Sequence, residues 1–286
     1  MQTQGTKKER FQANMLPEGC VSKILSFTSP LDVCRSSLVS SDFRSAMDSD
    51  AVWERFLPVD YHDILSRLVT PLKFSSKKEL YLRLCEPVLI DAGRKSFKLE
   101  KSSGKKSCTL SARELFIMWG DVPTYWSWMP TTESRFSEVA ILRTTWWLEI
   151  QGKIRTQMLS PNTKYGAYLI MKISDRAYGL DFIPSEMSVE VGNQVSSSTG
   201  YLHCQDNNKQ PIVCLDNTNP TEVVETSLKD KQEKMPRERD DAWNEIELGE
   251  FFTGENDEEV KMSFMEVKGC QLKGGLVIDS IEIRPK

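Results

Sequence analysis

The sequence predicts a two-domain α+β chain, with a small helical unit at the N-terminus followed by an all-β sandwich or barrel. Between Met15 and Pro58, apolar residues recur at helical spacing among helix start and stop signals. Beyond residue 108 the apolar period drops to two, the period of a strand. A length of 286 residues accommodates about two domains at roughly 150 residues each.

Residues 1–14 read as a flexible tail. Leu16-Pro17-Glu18 starts a helix, because proline is tolerated in the first turn where its missing N–H has no partner anyway. Cys20, Val21, Ile24 and Leu25 follow on one face. Ser29-Pro30-Leu31-Asp32 starts a second helix: Ser29 is the N-cap, Pro30 takes the first helical position, and Asp32 sets a carboxylate at the positive helix end. Val33, Leu38, Val39 and Phe43 come next, and Leu38 and Phe43 suit an internal core as well as a partner. Ser49-Asp50 opens a last turn in which Trp53, Phe56 and Leu57 fall at i, i+3 and i+4 before Pro58 stops it. Helices this short are not stable alone in water, so they must pack on one another, on the following segment or on a partner.

Residues 61–107 are expected to form a helical extension and linker. Ser76-Lys77-Lys78-Glu79 has the capping-box pattern, and Leu80, Tyr81 and Leu84 give that helix one apolar face. Arg94–Ser107 is polar and basic and contains Ser-Ser-Gly, which places the domain boundary there. In the second domain, 108–286, Trp146, Leu148 and Ile150 alternate with Trp147, Glu149 and Gln151. Tyr165–Ile173 is apolar on both parities, as in a central strand covered on two sides. Further short runs at Met187–Val191, Tyr201–His203, Ile212–Leu215, Ile246–Phe252, Val260–Val267 and Leu276–Ile283 complete an all-β pattern. Lys229–Asp241 reads as a solvated loop without function.

Composition narrows the function. With 37 basic and 41 acidic residues the net charge is −4, which argues against binding a phosphate backbone. The 7 cysteines are odd in number, scattered and never spaced C-x-x-C, which fits a reducing compartment and neither a disulfide framework nor a zinc site. No signal-peptide pattern, membrane-length apolar run or N-glycosylation acceptor is present in the sequence, so a cytoplasmic and nuclear protein is expected. Neither cofactor nor metal is expected. His62 and His203 fall in different domains, and no phosphate-binding loop or metal-ligand cluster occurs. Glu259 and Glu266 could mimic a glycosidase pair, but nothing else supports hydrolysis.

Taken in order, Leu16-Pro17-Glu18, Ile24-Leu25-Ser26-Phe27, Ser29-Pro30-Leu31-Asp32-Val33-Cys34-Arg35, Leu38-Val39-Ser40 and Val52-Trp53-Glu54-Arg55-Phe56-Leu57-Pro58 closely resemble an F-box, here residues 15–60. That resemblance implies docking on a Skp-type adaptor and, through it, a cullin-based ubiquitin ligase. Leu16, Pro17, Ile24, Leu25, Val39 and Trp53 are the expected adaptor-binding residues.

From Ser111 to Lys286 the chain resembles phloem protein 2, the Nictaba-type lectin domain. Leu115-Phe116-Ile117-Met118-Trp119, Pro123-Thr124-Tyr125-Trp126-Ser127-Trp128, Glu138–Leu142, Trp147–Ile154, Tyr165–Leu169, Leu248–Phe252, Met265-Glu266-Val267 and Ile283-Arg284-Pro285 carry it. The match weakens over Gly192–Asp241, where this chain has its own insert. The resemblance implies a jelly-roll-like β-sandwich that binds glycans containing N-acetylglucosamine through two tryptophans and two acids. The matching positions are Trp119, Trp126, Glu259 and Glu266. An indole can stack on the C–H face of a sugar while carboxylates accept from its hydroxyls. Trp119 could equally be core. Trp126 lies in a loop-like aromatic cluster and is the stronger ligand contact, Trp128 suits either role, and Trp147 suits the core. Glu259 sits in an acidic turn of ordinary surface carboxylates, whereas Glu266 is an acid within a strand pattern. Thr144 or Thr145 stands where the family often has an aliphatic residue.

Two functions follow from the joint resemblance. One is a non-catalytic substrate-recognition subunit of a ubiquitin ligase that selects glycosylated or other protein targets. The other is a nucleocytoplasmic lectin acting in stress or defence with a non-functional F-box.

Overall fold

A computed structural model describes residues 18–202 and 233–286. The predicted tail, Leu16, Pro17, His203 and the run Ile212–Leu215 lie outside the described residues.

Among the described residues, six helices come first: α1 Glu18–Leu25, α2 Pro30–Ser36, α3 Ser41–Met47, α4 Asp50–Phe56, α5 Tyr61–Ser66 and α6 Lys77–Leu84. Their starts follow the local chemistry. Ser29 Oγ accepts the Asp32 N–H at 3.1 Å and donates to its carboxylate at 2.7 Å. Ser76 Oγ accepts the Glu79 N–H at 3.1 Å, while the Glu79 carboxylate accepts the Ser75 N–H at 2.9 Å. Each such cap satisfies backbone N–H groups that a short helix leaves open. Val21, Leu25, Val33, Ala46, Val52 and Trp53 form the interior of the bundle. The Trp53 indole donates to the Met47 carbonyl at 2.6 Å, and its ring centre lies 5.1 Å from that of Tyr81 on α6.

Fourteen strands follow among the described residues: β1 Val88–Ile90, β2 Lys95–Leu99, β3 Lys106–Ser111, β4 Phe116–Ile117, β5 Trp126–Met129, β6 Val139–Leu142, β7 Leu148–Arg155, β8 Thr163–Tyr178, β9 Ser185–Val191, β10 Gln194–Gly200, β11 Arg237–Glu238, β12 Asn244–Thr253, β13 Glu259–Glu266 and β14 Gly274–Pro285. They make two antiparallel sheets, one ordered β1-β2-β3-β14-β8-β12-β11, with β6 on β14 and β5 on β6, and one ordered β10-β9-β13-β7-β4. The main core lies between the sheets. The chain is thus α+β, helices first and a β-sandwich after, as the sequence predicts. The two-sided apolarity of β8 has a simple cause. Tyr165, Ala167, Leu169 and Met171 face the main core, while Tyr168 and Ile170 pack with Val139 and Trp243 in a small second core on the outer face.

Two sequence expectations need correction. Residues 94–107 are not a linker but the hairpin of β2 and β3, and the large sheet already begins at Val88. Three of the lysines that suggested a solvated segment are ion-paired. Lys95 Nζ lies 3.0 Å from Glu114, Lys98 lies 3.2 Å from Glu282, and Lys106 lies 2.7 Å from Asp60. The apolar partners of that strand pattern, Ile90, Phe97 and Leu99, share one core with Trp53, Leu80, Tyr81 and Leu84 of the helices. Gly104 turns the hairpin at φ +71, with the place of a Cβ only 3.2 Å from the Phe56 carbonyl oxygen, so any larger residue would crowd the helices. The described part of Lys229–Asp241 is not a free loop either. β11 pairs with β12, and the Arg239 guanidinium reaches Glu245 at 2.7 Å and Glu282 at 2.9 Å.

The helical unit meets the sandwich at one end. Arg67 donates to Asp91 through Nε at 2.9 Å and Nη2 at 2.8 Å. Lys106 Nζ also donates to the Gln157 carbonyl at 3.3 Å, in the turn Thr156–Met158 that follows β7. β7 begins at the opposite end of the sandwich, about 25 Å away by strand rise.

Candidate functional site

At that far end the loops carry an aromatic shelf. After β4 the chain turns tightly through Trp119, whose φ of +56 is left-handed and uncommon for a bulky residue. The turn is held by hydrogen bonds from Gly120 N–H to the Ile117 carbonyl at 2.8 Å and from Val122 N–H to the Trp119 carbonyl at 2.9 Å. Two indoles pin it from below. Trp126 Nε1 donates to the Met118 carbonyl at 3.1 Å, and Trp128 Nε1 donates to the Gly120 carbonyl at 2.9 Å. The Arg113 guanidinium lies 3.5 Å from the Trp128 ring centre and holds that indole in place. So held, the Trp119 ring stacks on Tyr125 with centres 4.9 Å apart, and Trp146 lies 5.8 Å from Trp119. Trp147 meets Trp146 edge-on at 5.6 Å, and its indole donates to Glu149 at 2.8 Å.

A buried ion pair supports the shelf. Glu266, at the end of β13, lies 2.9 Å from Lys273 Nζ, and both side chains are almost wholly buried. Lys273 Nζ also donates to the Trp146 carbonyl at 2.7 Å and the Gln271 carbonyl at 3.3 Å. Burial pushes the Lys273 ammonium down to about 8, while the nearby Glu266 carboxylate acts in the opposite direction. Thr145 and Lys273 exchange backbone hydrogen bonds at 2.9 and 2.7 Å, and the Thr145 hydroxyl donates to the Trp147 carbonyl at 2.9 Å. The hydroxyl explains why threonine serves here in place of an aliphatic residue.

The predicted ligand residues therefore separate. Trp119 reaches the shelf. Trp126 is 2% exposed with its N–H satisfied, so it supports the turn and is not open to a ligand. Glu266 lies beneath the shelf and acts on Trp146 through Lys273. Glu259 is at the other end of β13, about 24 Å from Glu266 by strand rise, beside Lys153 at 3.7 Å. That separation far exceeds the ~5–9.5 Å of a glycosidase carboxylate pair. Sequence reasoning missed Tyr125, Trp146 and Lys273. The Trp-Ser-Trp repeat was the available signal, because positions i and i+2 of a strand share a face, here the one turned to the loop.

The helical unit presents a second surface. Leu38 is 81% exposed, Val39 74% and Phe27 66%, with Ile24 and Leu31 also open. Of the residues expected to bind an adaptor, Ile24 and Val39 are thus exposed. Leu25 and Trp53 are each 1% exposed and belong to the bundle core instead, since α1 packs Leu25 inward and Trp53 fills the space against α6.

A helical handle fused to a lectin-like sandwich defines the class of protein, and comparison with known proteins agrees. The F-box domain profile matches residues 14–55, and the phloem protein 2 profile matches residues 105–285. F-box protein PP2-B15 of Arabidopsis thaliana is 55% identical over 279 residues, covering 95% of this chain and 96% of that relative. F-box protein PP2-B13 of the same plant is 54% identical, covering 95% and 98%. Among solved structures, a GH26-CBM35 β-(1,4)-mannanase of Podospora anserina matches 63% of this chain and 28% of that one at 9% identity, with a TM-score of 0.33, too low to bear on the fold. The chain belongs to the phloem protein 2 family, in its F-box-bearing PP2-B group.

Proposed function

We propose that this protein is the substrate-recognition subunit of a Skp-cullin-F-box ubiquitin ligase, working in the cytoplasm and nucleus without catalytic chemistry of its own. The observation that carries the reading is the exposure of Ile24, Phe27, Leu31, Leu38 and Val39 within one short stretch of a unit that buries Val21, Leu25, Val33, Val52 and Trp53 in its core. Open apolar surface of this kind is stabilised by a partner groove. The Skp-type adaptor is that partner.

The aromatic shelf at the other end reads the target. Trp119, Tyr125 and Trp146 offer ring faces to the C–H face of a pyranose. The ligand class is a glycan containing N-acetylglucosamine, free or on a protein. Two paired assays test this reading. A Leu38→Asp/Val39→Asp chain should lose co-precipitation of the adaptor and keep glycan retention. Trp119→Ala should do the reverse. Adaptor capture undiminished in the double variant would refute the docking face, and adaptor never captured by the wild type would favour a free lectin.

A further inference from the structure

The outer face of the five-stranded sheet carries a feature that the shelf does not use. Strand register puts Phe116, Gln151, Ser263, Ser188 and Ser197 in one row across β4, β7, β13, β9 and β10. The row beside it holds the longer Glu149, Met265 and Glu186, and the row on the other side holds Lys153, Lys261 and Glu190. Long side chains on both flanks and small ones between them make a trough. Five strands give it a length of about 19 Å, and its banks stand about 14 Å apart at the backbone. Its β9–β10 end is a groove of about 240 Å³ lined by Glu186, Ser188, Ser197, Thr199, Ser263 and Met265.

We propose that this trough is a second carbohydrate site, one that takes an extended neutral oligosaccharide lying across the strands. The floor is uncharged and rich in hydroxyls, with Ser188, Ser197 and Ser263 in register along it, and such groups donate to and accept from a ligand's own hydroxyls. At the β4 end of the row, Phe116 is 53% exposed and offers a ring face to a sugar.

Most charges on the banks are already engaged. Glu149 accepts from Trp147 and from Gln151 at 2.7 Å, Glu186 is paired with Lys268, and Lys153 and Lys261 both face Glu259. The banks carry both signs, so neither an anionic nor a cationic ligand meets a field of one opposite charge, whereas a neutral polyol finds donors and acceptors. A peptide crossing the strands would leave its own backbone groups unpaired, and it is better served by adding to a sheet edge.

The test uses the full chain, isotope-labelled at methionine methyls, titrated with N-acetylated chitin oligomers of increasing length. Affinity should rise about tenfold between two and five rings, and the Met265 methyl resonance should move with the longer oligomers only. Ser263→Lys should abolish both effects. Ser188→Val serves as the second variant, because a β-branched residue suits a strand and keeps the fold while filling the trough. A Met265 methyl that stays still at every length would overturn the proposal. So would a length dependence that survives both variants. Trp119→Ala separates this site from the shelf. Loss of short-oligomer binding there, with the Met265 shift retained, shows two sites, and retention of short-oligomer binding counts against the shelf alone.

Discussion

The indole N–H of Trp126 and the carbonyl oxygen of Met118 lie 3.1 Å apart, and this bond holds the left-handed turn at the next residue, Trp119. A tryptophan hidden in the sandwich thereby fixes the pose of one that is presented to the outside. The two indoles do different work, and substitutions should separate them.

Trp126→Phe keeps an aromatic ring but removes the donor and part of the buried bulk, so it should cost at least about 1–2 kcal/mol of stability and loosen the shelf. Trp119→Ala removes a partly exposed ring and should leave the melting temperature nearly unchanged while abolishing glycan retention. Thermal denaturation and glycan-array binding of the two variants check the contrast. Equal stability of Trp126→Phe and wild type would show that the pin contributes nothing.

Glu266 and Lys273 form a buried pair with little solvent to screen it. Lys273→Met strands a carboxylate in the interior and should destabilise by about 3–5 kcal/mol. Adding Glu266→Gln to that variant should recover part of the loss, which a double-mutant cycle in urea would measure. Because Lys273 also holds the Trp146 carbonyl, glycan binding should fall in the single variant as well.

On the outer face of the large sheet, burial alone would raise Glu247, but Lys234 and Lys286 outweigh it and hold the carboxyl down to about 2. Its unfolded value is near 4.5, so the unfolded chain binds the proton first as pH falls. The stabilisation is complete above the unfolded value and is lost as pH drops from about 4.5 towards 2. Melting temperatures across that window should therefore fall more steeply for wild type than for Glu247→Gln. Parallel curves would remove Glu247 from the acid response.

A fragment cut at the boundary suggested by composition, 108–286, loses β1, β2 and the first residues of β3. It strips β3 of its β2 partner, opening a sheet edge, and should aggregate. A fragment of 15–286 retains all of the core that the helices share with the sheet, together with both sheets, and should be monomeric and folded, as judged by size-exclusion chromatography and circular dichroism. Soluble, cooperative unfolding of 108–286 would contradict the shared core.

The helices were legible because their determinants are local. Ser29 with Asp32 and Ser76 with Glu79 are caps written within four residues. β7 is legible from alternation, β8 from its apolarity on both parities, and β9, β12, β13 and β14 as short apolar runs between turn residues. β2 and β3 were not, because Lys95, Lys98 and Lys106 make a strand look like a linker until Glu114, Glu282 and Asp60 are seen opposite them. The site was half legible for the same reason. Sequence places the aromatics in one stretch, but only the fold shows that Trp126 turns in, that Trp119 turns out, and that Trp146 arrives from another loop. Glu259 and Glu266 look like neighbours in a list of acids, yet a straight strand carries them to opposite ends of the molecule.

Because Phe97 and Leu99 are packed by the helices and hydrogen-bonded into the sheet at once, the helical unit and the sandwich share one core. On the ligase reading proposed above, cargo seized at the far rim would arrive at a set height and angle above whatever holds the helices. Which amine on that cargo came within range would then depend on the cargo's own shape and on where its sugar is attached.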